Sequence, residues 1–429
     1  MNVTATDHPA ARAERCLGPL AGLATGLSFR QADRSMGEYA VPELTTAAVG
    51  RTVPGADEGS IDLTVGGGGE TVTEAALTAL GEFLERYSMH WPVPGRRTAT
   101  HAELRDCDAA VVDLAALTAW DEADLVGAGF EPVDEHTPVE WVPGTALPTG
   151  REVYVPAGLV ASTSGDGRDR FPSSTSGNAC GSSLAGGLTR SLYEQVERDA
   201  VMRTWYEGRT PPRLDISAFT ELERFRRRIT PDGYRLHVLD LPTPTDCRAV
   251  GAMLVNEADR VPKVRLFAGA HHSLGGALRD ALSEAAEGLL QTRYRLAAGD
   301  TPDPDIDIES AYDFDDNVRY YMQPDHFDAV AHLADGDVRT VDPNATTDVE
   351  PSPNTEVEPD LDRALTAVRA GEETTPIGVD RTPPDVRELG MYTTAVYVPE
   401  LVDMALPALP PVDHPGLSRV ETTAAHPFP

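Results

Sequence analysis

The chain has 429 residues and carries 69 acidic against 36 basic side chains, which gives a formal net charge of -33. This charge excludes broad contact with nucleic-acid phosphates or anionic membranes, because like charges repel. Lys263 is the only lysine. A composition so acidic and so poor in lysine predicts a halophilic protein of a salt-rich cytoplasm, where dissolved ions screen self-repulsion. An ordinary acidic protein is the alternative interpretation.

The cysteines and apolar segments restrict the class of protein further. Four cysteines are scattered along the chain at neither metal-ligand nor redox-motif spacing, which argues against zinc and against a disulfide framework. No segment reaches the roughly 20 apolar residues that a membrane-spanning helix needs, and glycine and proline interrupt residues 16–29. We therefore expect one large enzyme domain in a reducing cytoplasm, without membrane contact.

A run of four glycines at residues 66–69 precedes the first candidate helix. From Thr71, apolar residues recur at the spacing of an amphipathic helix, at Leu77, Leu80, Leu84 and Tyr87. Thr71 and Glu74 have the spacing of a capping box. The opposite face of this helix carries a continuous polar stripe of Thr78, Glu82, Glu85 and Arg86.

The stretch from Ser173 to Trp205 combines a turn with a second candidate helix. A Ser/Thr/Gly turn runs into one long helix, which is predicted by the spacing of Leu184, Leu188, Leu192 and Val196. The turn around Ser176 offers backbone N–H groups to a phosphate, and ordinary helix capping is the alternative. The helix places Glu194 and Glu197 on one face, followed by Arg198.

The pattern Glu-x-x-Glu-Arg thus occurs twice, at residues 82–86 and 194–198. Two such helices can direct four carboxylates to one point, where a magnesium-bound nucleotide takes oxygen ligands. The adjoining arginines can hold phosphate oxygens bidentately. A solvated helix face is the alternative for either copy alone. A P-loop is excluded, because the chain contains no GxxxxGK[ST] motif.

Other segments predict a mixed scaffold of strands and helices. Residues 139–160 have the pattern of a β-hairpin around a Pro-Thr-Gly turn. Residues 235–241 and 248–267 read as strands. A third helix over 277–296 carries a polar face of Glu284, Glu287, Gln291 and Arg295.

Two further segments are predicted to lie outside this scaffold. Residues 301–316 and 342–362 are acidic, proline-bearing and poor in apolar residues, which predicts mobile loops. His271 and His272 are adjacent, so we expect surface or loop histidines whose side chains diverge from any common metal.

Four motifs together resemble the YcaO superfamily: TALGEFLERYS after the glycine run, STSGNACG leading to LYEQVERDA, EGLLQTRYR, and a terminal HPFP. Within that superfamily the sequence is most similar to SagD-like cyclodehydratases of thiazole/oxazole-modified peptide biosynthesis. The resemblance extends from about residue 16 to residue 429. It implies a single α/β (α+β) domain, with mixed sheets flanked by helices and a nucleotide site between the two ExxER helices.

The resemblance also assigns site residues and cofactors. It implies ATP and Mg2+, with the metal held by Glu82, Glu85, Glu194 and Glu197. The residues that it implies as contacts of phosphate or nucleotide are Arg86, Arg198, Gln291 and Arg295. Arg293 is an alternative to Arg295. Thr78 is a further implied contact and stands where the family often has serine. The proline-rich terminus is expected to reach the active site, and here it consists of Pro427 and Pro429 flanking Phe428, with Ala425 where a third proline often stands.

The implied reaction is ATP-dependent conversion of Cys, Ser or Thr residues of a ribosomal precursor peptide to thiazolines or oxazolines, through phosphorylation of the backbone amide oxygen. A ThiF-like protein is expected to deliver the peptide, a flavin-dependent dehydrogenase is a further expected partner, and a homodimer is expected. Gly68, Ala185 and Gly186 depart from the family pattern. They motivate a non-catalytic peptide-binding scaffold as one alternative, and a YcaO enzyme that installs backbone thioamides is the other.

Overall fold

The computed structural model describes residues 15–17, 23–24, 26–31, 40–45, 63–107, 109–114, 119–160, 170–172, 174–341, 360–369 and 374–429. Most of the second predicted acidic loop, residues 342–359, lies outside this part of the chain. Of the helices within the described ranges, none combines the length and apolar character needed to cross a bilayer.

The strands, in chain order, are β1 (Gly26–Gln31), β2 (Ala40–Thr45), β3 (Thr64–Gly66), β4 (Arg97–Ala99), β5 (Val139–Ala146), β6 (Arg151–Pro156), β7 (Asn178–Gly181), β8 (Arg213–Asp215), β9 (Tyr234–Leu241), β10 (Arg248–Asn256), β11 (Val264–His271), β12 (Val338–Thr340), β13 (Ile377–Asp380) and β14 (Tyr392–Tyr397). They form three sheets, in the orders β1-β2-β3, β11-β10-β9-β8-β12 and β4-β5-β13-β14-β7, with β6 paired to β5. Pairing is antiparallel apart from the parallel pair β8–β12.

The α-helices, in chain order, are α1 (Val72–Met89), α2 (His101–Asp106), α3 (Glu122–Gly127), α4 (Ala157–Val160), α5 (Leu184–Tyr206), α6 (Thr220–Ile229), α7 (Leu274–Ala297), α8 (Phe314–Tyr321), α9 (Asp328–Ala331), α10 (Leu361–Arg369) and α11 (Pro384–Glu388). Helix α5 packs on β7 and β14 of one large sheet and on β11 of the other. Helix α7 packs on β10 and β11, and α1 contacts β2, β3 and β7. This arrangement supplies the mixed α/β architecture that the sequence predicts.

Helix α5 is the element that joins the two large sheets. Its apolar side chains enter a core shared with β9, β10 and β11, and Leu192 and Val196 are completely buried there. Because a helix repeats every 3.6 residues, burial of this stripe turns Glu194 and Glu197 toward the other side of the helix. The core packing of α5 therefore fixes the direction of its carboxylates.

The predicted first helix and hairpin are confirmed, with one difference at the helix cap. Thr71 is the N-cap of α1 and accepts the Glu74 backbone N–H at 3.1 Å. The Glu74 carboxylate accepts the Glu70 backbone N–H, also at 3.1 Å. The Glu74 carboxylate therefore bonds to Glu70, the residue before the N-cap. In the predicted capping box it would have bonded to the backbone N–H of Thr71 itself.

The predicted run from the Ser/Thr/Gly turn directly into the long helix is wrong. The turn at Ser176 and Gly177 enters strand β7, and α5 begins only after Ser183, whose hydroxyl caps the Gly186 N–H at 3.0 Å. Gly177 adopts a positive φ of 70°, a conformation that favours glycine. The four-residue strand is too short for its periodicity to be distinguished from the turn around it.

Two other predictions are also corrected. Residues 301–316 include a short 3-10 helix, Ile308–Ser310, and the first turn of α8, so the prediction of a loop over the whole segment is wrong. His271 and His272 do lie where β11 ends and α7 begins. Their side chains converge instead of diverging, because the strand ends there: the ring centroids are 4.0 Å apart, and Tyr193 Oη lies 2.5 Å from His272 Nδ1.

Candidate active site

Helices α1, α5 and α7 bring glutamates together that are far apart in the sequence. Burial is the main cause that raises the pKa of Glu85 on α1, Glu194 on α5, and Glu284 and Glu287 on α7, and repulsion from Glu82 contributes to each of these shifts. Such mutual effects require that these carboxylates lie close to one another. We call the following set the acidic cluster: Glu82, Glu85, Glu194, Glu197, Glu284 and Glu287.

The two ExxER segments adopt the same local arrangement. Arg86 lies 2.8 Å from Glu82 and 3.8 Å from Glu85, both measured from guanidinium nitrogen to carboxylate oxygen. Arg198 lies 3.2 Å from Glu194 and 3.0 Å from Glu197. In each copy, one arginine thus bridges the two glutamates before it, which are its i−1 and i−4 neighbours.

Burial and mutual repulsion disfavour the charged form of these carboxyl groups. Burial raises the pKa of Glu194 to about 7, with Arg198 opposing the shift and Glu197 reinforcing it. Burial and then repulsion from Glu82 raise the pKa of Glu85 well above its usual value. Since the side chains of Glu85 and Glu194 retain 12% and 23% exposure, a solvent-borne cation can still reach them. A bound cation would stabilise their ionised forms.

The third helix completes the cluster and connects it to the glycine run. Glu287 accepts the Gln291 Nε2–H at 3.0 Å and a backbone N–H from Gly68. A Cβ added at Gly66 would lie 2.8 Å from Gln291 Nε2, so only glycine fits there without moving that side chain. Gly68, which departs from the family pattern, places a backbone N–H donor beside the acidic cluster but no charged side chain.

Sequence reasoning noted the polar stripe of α7 but gave no site role to Glu284 and Glu287. Their three-residue spacing, the same as in the two ExxER segments, was the available signal. Asp280, one turn earlier on α7, was also missed; burial raises its pKa to about 7, Arg190 opposes the shift, and Glu197 reinforces it. Arg190 of α5 thus acts electrostatically on Asp280 of α7, and Arg190 lies one helical turn beyond Gly186, the position without a carboxylate.

The cluster has the donor chemistry of a magnesium site without its closed geometry. Within the described ranges, no three Asp, Glu, His or Cys side chains stand in an arrangement that could hold a metal ion. In the present arrangement Arg86 and Arg198 form ion pairs with the glutamates of their own helices. Carboxylate oxygens are the ligands Mg2+ prefers, and a cation would relieve the repulsion between buried carboxylates. The residues therefore fit Mg2+ once the arginines exchange carboxylate for phosphate.

Thr78 and Ser176 are placed differently with respect to this cluster. Thr78 is exposed on α1, one turn before Glu82, with its hydroxyl donating to Glu74 O at 3.1 Å. Ser176 is 5% exposed and is bonded to Ser174 and Asp403. Its predicted role depended on the N-terminus of a helix, and α5 begins only at Leu184, eight residues later. Ser176 therefore remains a predicted nucleotide contact without that support.

Arg295 lies one helical turn beyond Gln291 and is held by two aspartates. Its guanidinium donates to Asp300 at 2.6 Å and to both oxygens of Asp315 at 2.6 and 2.8 Å. Arg295, Gln291 and Pro429 line one cavity. The C-terminal tail therefore reaches the end of the third helix that carries the acidic cluster. Contacts of Arg295 and Gln291 with nucleotide remain predictions.

The tail itself is part of the folded core. Pro427 and Phe428 are buried, whereas Pro429 is exposed at the cavity. Burial lowers the pKa of His426 to about 4; a bond to Ala405 O opposes the shift and nearby Arg198 reinforces it. The influence of Arg198 on this pKa places His426 within electrostatic reach of the second ExxER segment.

A family model described as YcaO cyclodehydratase, ATP- and Mg2+-binding, matches residues 66–402. The matched span contains all three helices of the acidic cluster. The chain belongs to the YcaO family. It is accordingly an ATP-dependent enzyme that binds Mg2+, and the sequence-based predictions of family and cofactors are confirmed.

Solved structures share the YcaO fold at low sequence identity. YcaO from Methanopyrus kandleri, bound with AMPPCP and Mg2+, is 22% identical over 89% of this chain and 86% of its own, with a TM-score of 0.62. A heterocyclase in complex with substrate and cofactor is 19% identical with a TM-score of 0.70; the match covers 99% of this chain and 57% of that one. This YcaO chain thus spans little more than half of that heterocyclase.

A chain of the E. coli microcin synthetase McbBCD complex, solved with pro-MccB17 bound, shares the fold over most of its length. It is 14% identical over 96% of this chain and 98% of its own, with a TM-score of 0.63. None of the curated proteins matches the chain. These likenesses show the architecture in which the acidic cluster is embedded, and the family model carries the assignment of ATP and Mg2+.

Proposed function

We propose that this YcaO protein is a SagD-like cyclodehydratase that converts Cys, Ser or Thr residues of a ribosomal precursor peptide to thiazolines or oxazolines at the expense of ATP. One observation carries the proposal: the acidic cluster on α1, α5 and α7 lies beside a folded C-terminal tail, whose Pro429 shares a cavity with Gln291. Residues that are predicted to bind nucleotide and a buried C-terminal tail lie at one place, which suits chemistry on a peptide.

The proposed reaction balances as follows. The substrate thiol or hydroxyl adds to the preceding carbonyl carbon and loses its proton, the former carbonyl oxygen takes the γ-phosphoryl group, and ADP leaves. The C–O bond then breaks with release of phosphate, and loss of the amide proton leaves a C=N bond in the ring. Phosphorylation is needed because an amide oxygen is otherwise a poor leaving group. The peptide loses one water for each ATP consumed.

The residues of this chain would orient that reaction electrostatically. Glu82, Glu85, Glu194 and Glu197 would hold Mg2+, which, when bound, offsets the charge of the nucleotide phosphates. Arg86 and Arg198 each have several N–H donors and would turn from carboxylate to phosphate oxygens. Their present glutamate partners already fix the orientation of both guanidinium groups before nucleotide binds.

The proposal includes partner proteins. A separate ThiF-like protein would present the precursor peptide, a flavin-dependent dehydrogenase would oxidise azoline to azole, and the enzyme would act as a homodimer. The support is that relatives with this fold occur in complexes: McbBCD is an assembly solved with pro-MccB17 bound. We also propose a salt-rich cytoplasm, which the net charge of -33 supports.

Mass spectrometry of a precursor peptide tests the proposed function. The peptide is incubated with enzyme, ThiF-like partner, ATP and Mg2+ at high salt, and we expect ATP-dependent loss of one water per modified residue. Replacement of oxygen by sulfur would instead indicate thioamide formation, and an unchanged mass without ATP turnover would indicate a scaffold. Glu197→Gln should abolish the reaction. Glu221→Gln is the control, because Glu221 forms an exposed pair with Arg224 on α6.

A further inference from the structure

The turn at residues 174–177 enters strand β7, on which both ExxER helices, α1 and α5, pack. Gly177 is the point where this turn approaches α5. A Cβ added at Gly177 would lie 2.6 Å from Nε2 of Gln195, the residue after Glu194. Its φ of 70° also favours glycine. The turn is therefore packed directly against the second ExxER segment.

Asn178, the first residue of β7, connects this turn to Arg381. Its Nδ2–H group donates to Thr175 O at 2.9 Å and, at the longer distance of 3.4 Å, to Ser176 O. These bonds orient the side-chain amide, so that its Oδ1 accepts the Nη1–H of Arg381. Asn178 and Arg381 are 3% and 4% exposed. Little water is therefore available to replace the bond between them.

Arg381 carries the connection on to the first ExxER helix. Its Nη2–H donates to Ser88 O on α1 at 3.4 Å, one helical turn beyond Glu85. Its buried Nε–H meets no hydrogen-bond acceptor within the described ranges. Burial lowers the pKa of Arg381 to about 10, and Glu85 opposes the shift. The guanidinium that acts on Glu85 is thus held by Asn178 Oδ1 and by the longer bond to Ser88 O.

The acceptor at residue 178 is a neutral amide, and its neutrality determines how Arg381 acts. A carboxylate in the same place would pair with the guanidinium and cancel its positive charge. The amide oxygen of Asn178 instead orients the guanidinium and leaves its charge to act on Glu85. Glu85 is repelled by Glu82 and Glu194. A positive charge held in a fixed place therefore reduces the repulsion within the acidic cluster.

We propose that Asn178 is a positioning residue of the nucleotide site, which holds the Arg381 guanidinium against α1 so that its charge is directed at Glu85. Asn178 contacts neither metal nor nucleotide in this role and acts through Arg381. Because the turn before Asn178 packs on Gln195, one short segment contacts both ExxER helices. The inference uses the ATP and Mg2+ binding of the YcaO family and does not depend on the proposed cyclodehydration.

Equilibrium binding of ATP to the full chain across a Mg2+ titration, without peptide, tests the proposal. Asn178→Ala should weaken Mg2+-dependent ATP binding on the order of tenfold, because the outer-shell charge of Arg381 loses its fixed place. The double variant with Arg381→Met should bind no more weakly than Arg381→Met alone. Asn256→Ala is the control and should bind like wild type, since Asn256 is 1% exposed and bonds to Tyr234 and Arg260 instead.

Asn178→Asp separates the shape of the acceptor from its charge. This variant is nearly isosteric and keeps an oxygen for Arg381, but the new carboxylate cancels the charge of the guanidinium. We expect Mg2+-dependent ATP binding to fall to the level of Arg381→Met. Because Asn178→Asp preserves the shape of the side chain, it also continues the test if Asn178→Ala does not fold. A wild-type affinity for ATP in Asn178→Asp would overturn the proposal.

Thermal unfolding of the metal-free protein gives a readout that is independent of nucleotide. Asn178→Ala leaves a buried cation without its acceptor, so it should lower the unfolding temperature more in wild type than in Arg381→Met. An equal lowering in both, wild-type ATP affinity in a folded Asn178→Ala protein, or additive losses of affinity in the double variant would contradict the proposal. Neither experiment contains peptide, so failure of the proposed cyclodehydration would leave both results unchanged, and the two failures can be told apart.

Discussion

Asn317 of α8 holds the C-terminal tail through two carbonyl groups: its Nδ2 donates to His426 O at 2.5 Å and to Phe428 O at 2.9 Å. Asn317 and His426 are both completely buried. Tyr321, one turn further along α8, donates to Ala425 O at 2.7 Å. The tail is therefore attached along its length to one helix, and this attachment positions Pro429 in the cavity that Gln291 and Arg295 also line.

Asn317→Leu should detach the tail. The substitution leaves two buried carbonyl oxygens without their donor, which costs about 1–3 kcal/mol each when unsatisfied, and release of the tail exposes them to water instead. We expect faster amide hydrogen exchange over residues 424–429 and at least about a tenfold loss of peptide modification. Asn256→Leu is the control, because Asn256 is equally buried at 1% but bonds to Tyr234 and Arg260. Unchanged exchange in Asn317→Leu would contradict this account.

Glu194→Gln should stabilise the protein while impairing its function. Burial raises the folded-state pKa of Glu194 to about 7 from an ordinary 4.5, so the folded protein retains a proton that the unfolded chain has lost. Stability therefore decreases as pH rises from about 4.5 to about 7. At pH 8 without Mg2+, we expect the free energy of unfolding of Glu194→Gln to be higher than that of wild type by an amount on the order of 1 kcal/mol.

Denaturant unfolding at pH 5 and pH 8 measures this effect, and the difference between the two proteins should be small at pH 5. Calorimetry should show weaker binding of Mg2+ and ATP by the variant. The control Glu221→Gln should change neither quantity, because its side chain is 73% exposed. A variant less stable than wild type at pH 8, with undiminished nucleotide binding, would be inconsistent with a strained metal-binding carboxylate.

Arg381 is a buried counter-charge for Glu85. It is 4% exposed, its guanidinium donates to Asn178 Oδ1 and to Ser88 O, and Glu85 opposes the lowering of its pKa to about 10 by burial. Arg381→Met should leave Glu85 without this charge and weaken Mg2+-dependent ATP binding on the order of 10- to 100-fold. Arg387→Met is the control, since Arg387 pairs with Asp380 at the surface.

Equilibrium binding of ATP across a Mg2+ titration measures the effect without relying on turnover. The apparent affinity for Mg2+ should fall in Arg381→Met, and Arg381→Lys should recover part of it by restoring the charge. If circular dichroism shows a folded Arg381→Met protein with wild-type affinity for Mg2+ and ATP, Arg381 has no part in positioning Glu85.

Salt should stabilise this protein. A net charge of -33 produces self-repulsion, and the screening length shortens from about 10 Å at 0.1 M salt to about 3 Å at 1 M. We expect the unfolding temperature to rise between 0.1 and about 2 M KCl, and the same rise with NaCl would identify screening as the cause. A fall in unfolding temperature over this range would contradict the prediction of a halophilic protein.

The sequence was most informative where a periodic pattern is long. The apolar spacing from Leu77 to Tyr87 and that from Leu184 to Val196 each predicted a helix, and with it the face on which the glutamates lie. The short strand β7 was missed, because four residues carry too little periodicity to separate a strand from a turn. The local sequence pattern thus predicted the directions in which side chains point better than it predicted the order of short strands and turns.

Other features depend on tertiary contacts that no local pattern records. Glu284 belongs to the acidic cluster only because the fold brings α7 within electrostatic reach of α1 and α5. Arg381 follows a strand far along the chain and meets α1 through Ser88. Arg295 of α7 and Arg319 of α8 share Asp300 and Asp315, although the two arginines lie on different helices. Such relationships are decided by the folded arrangement, so sequence spacing alone could not predict them.

The most direct test of the central claim follows the oxygen atom of the modified amide. A precursor peptide labelled with oxygen-18 at the carbonyl preceding a reactive cysteine is incubated with the YcaO protein, the proposed ThiF-like partner, Mg2+ and ATP. We predict that the label appears in inorganic phosphate in step with loss of water from the peptide, and that Glu194→Gln abolishes both. Ring formation with the label recovered in water, or undiminished labelling of phosphate by Glu194→Gln, would contradict the account.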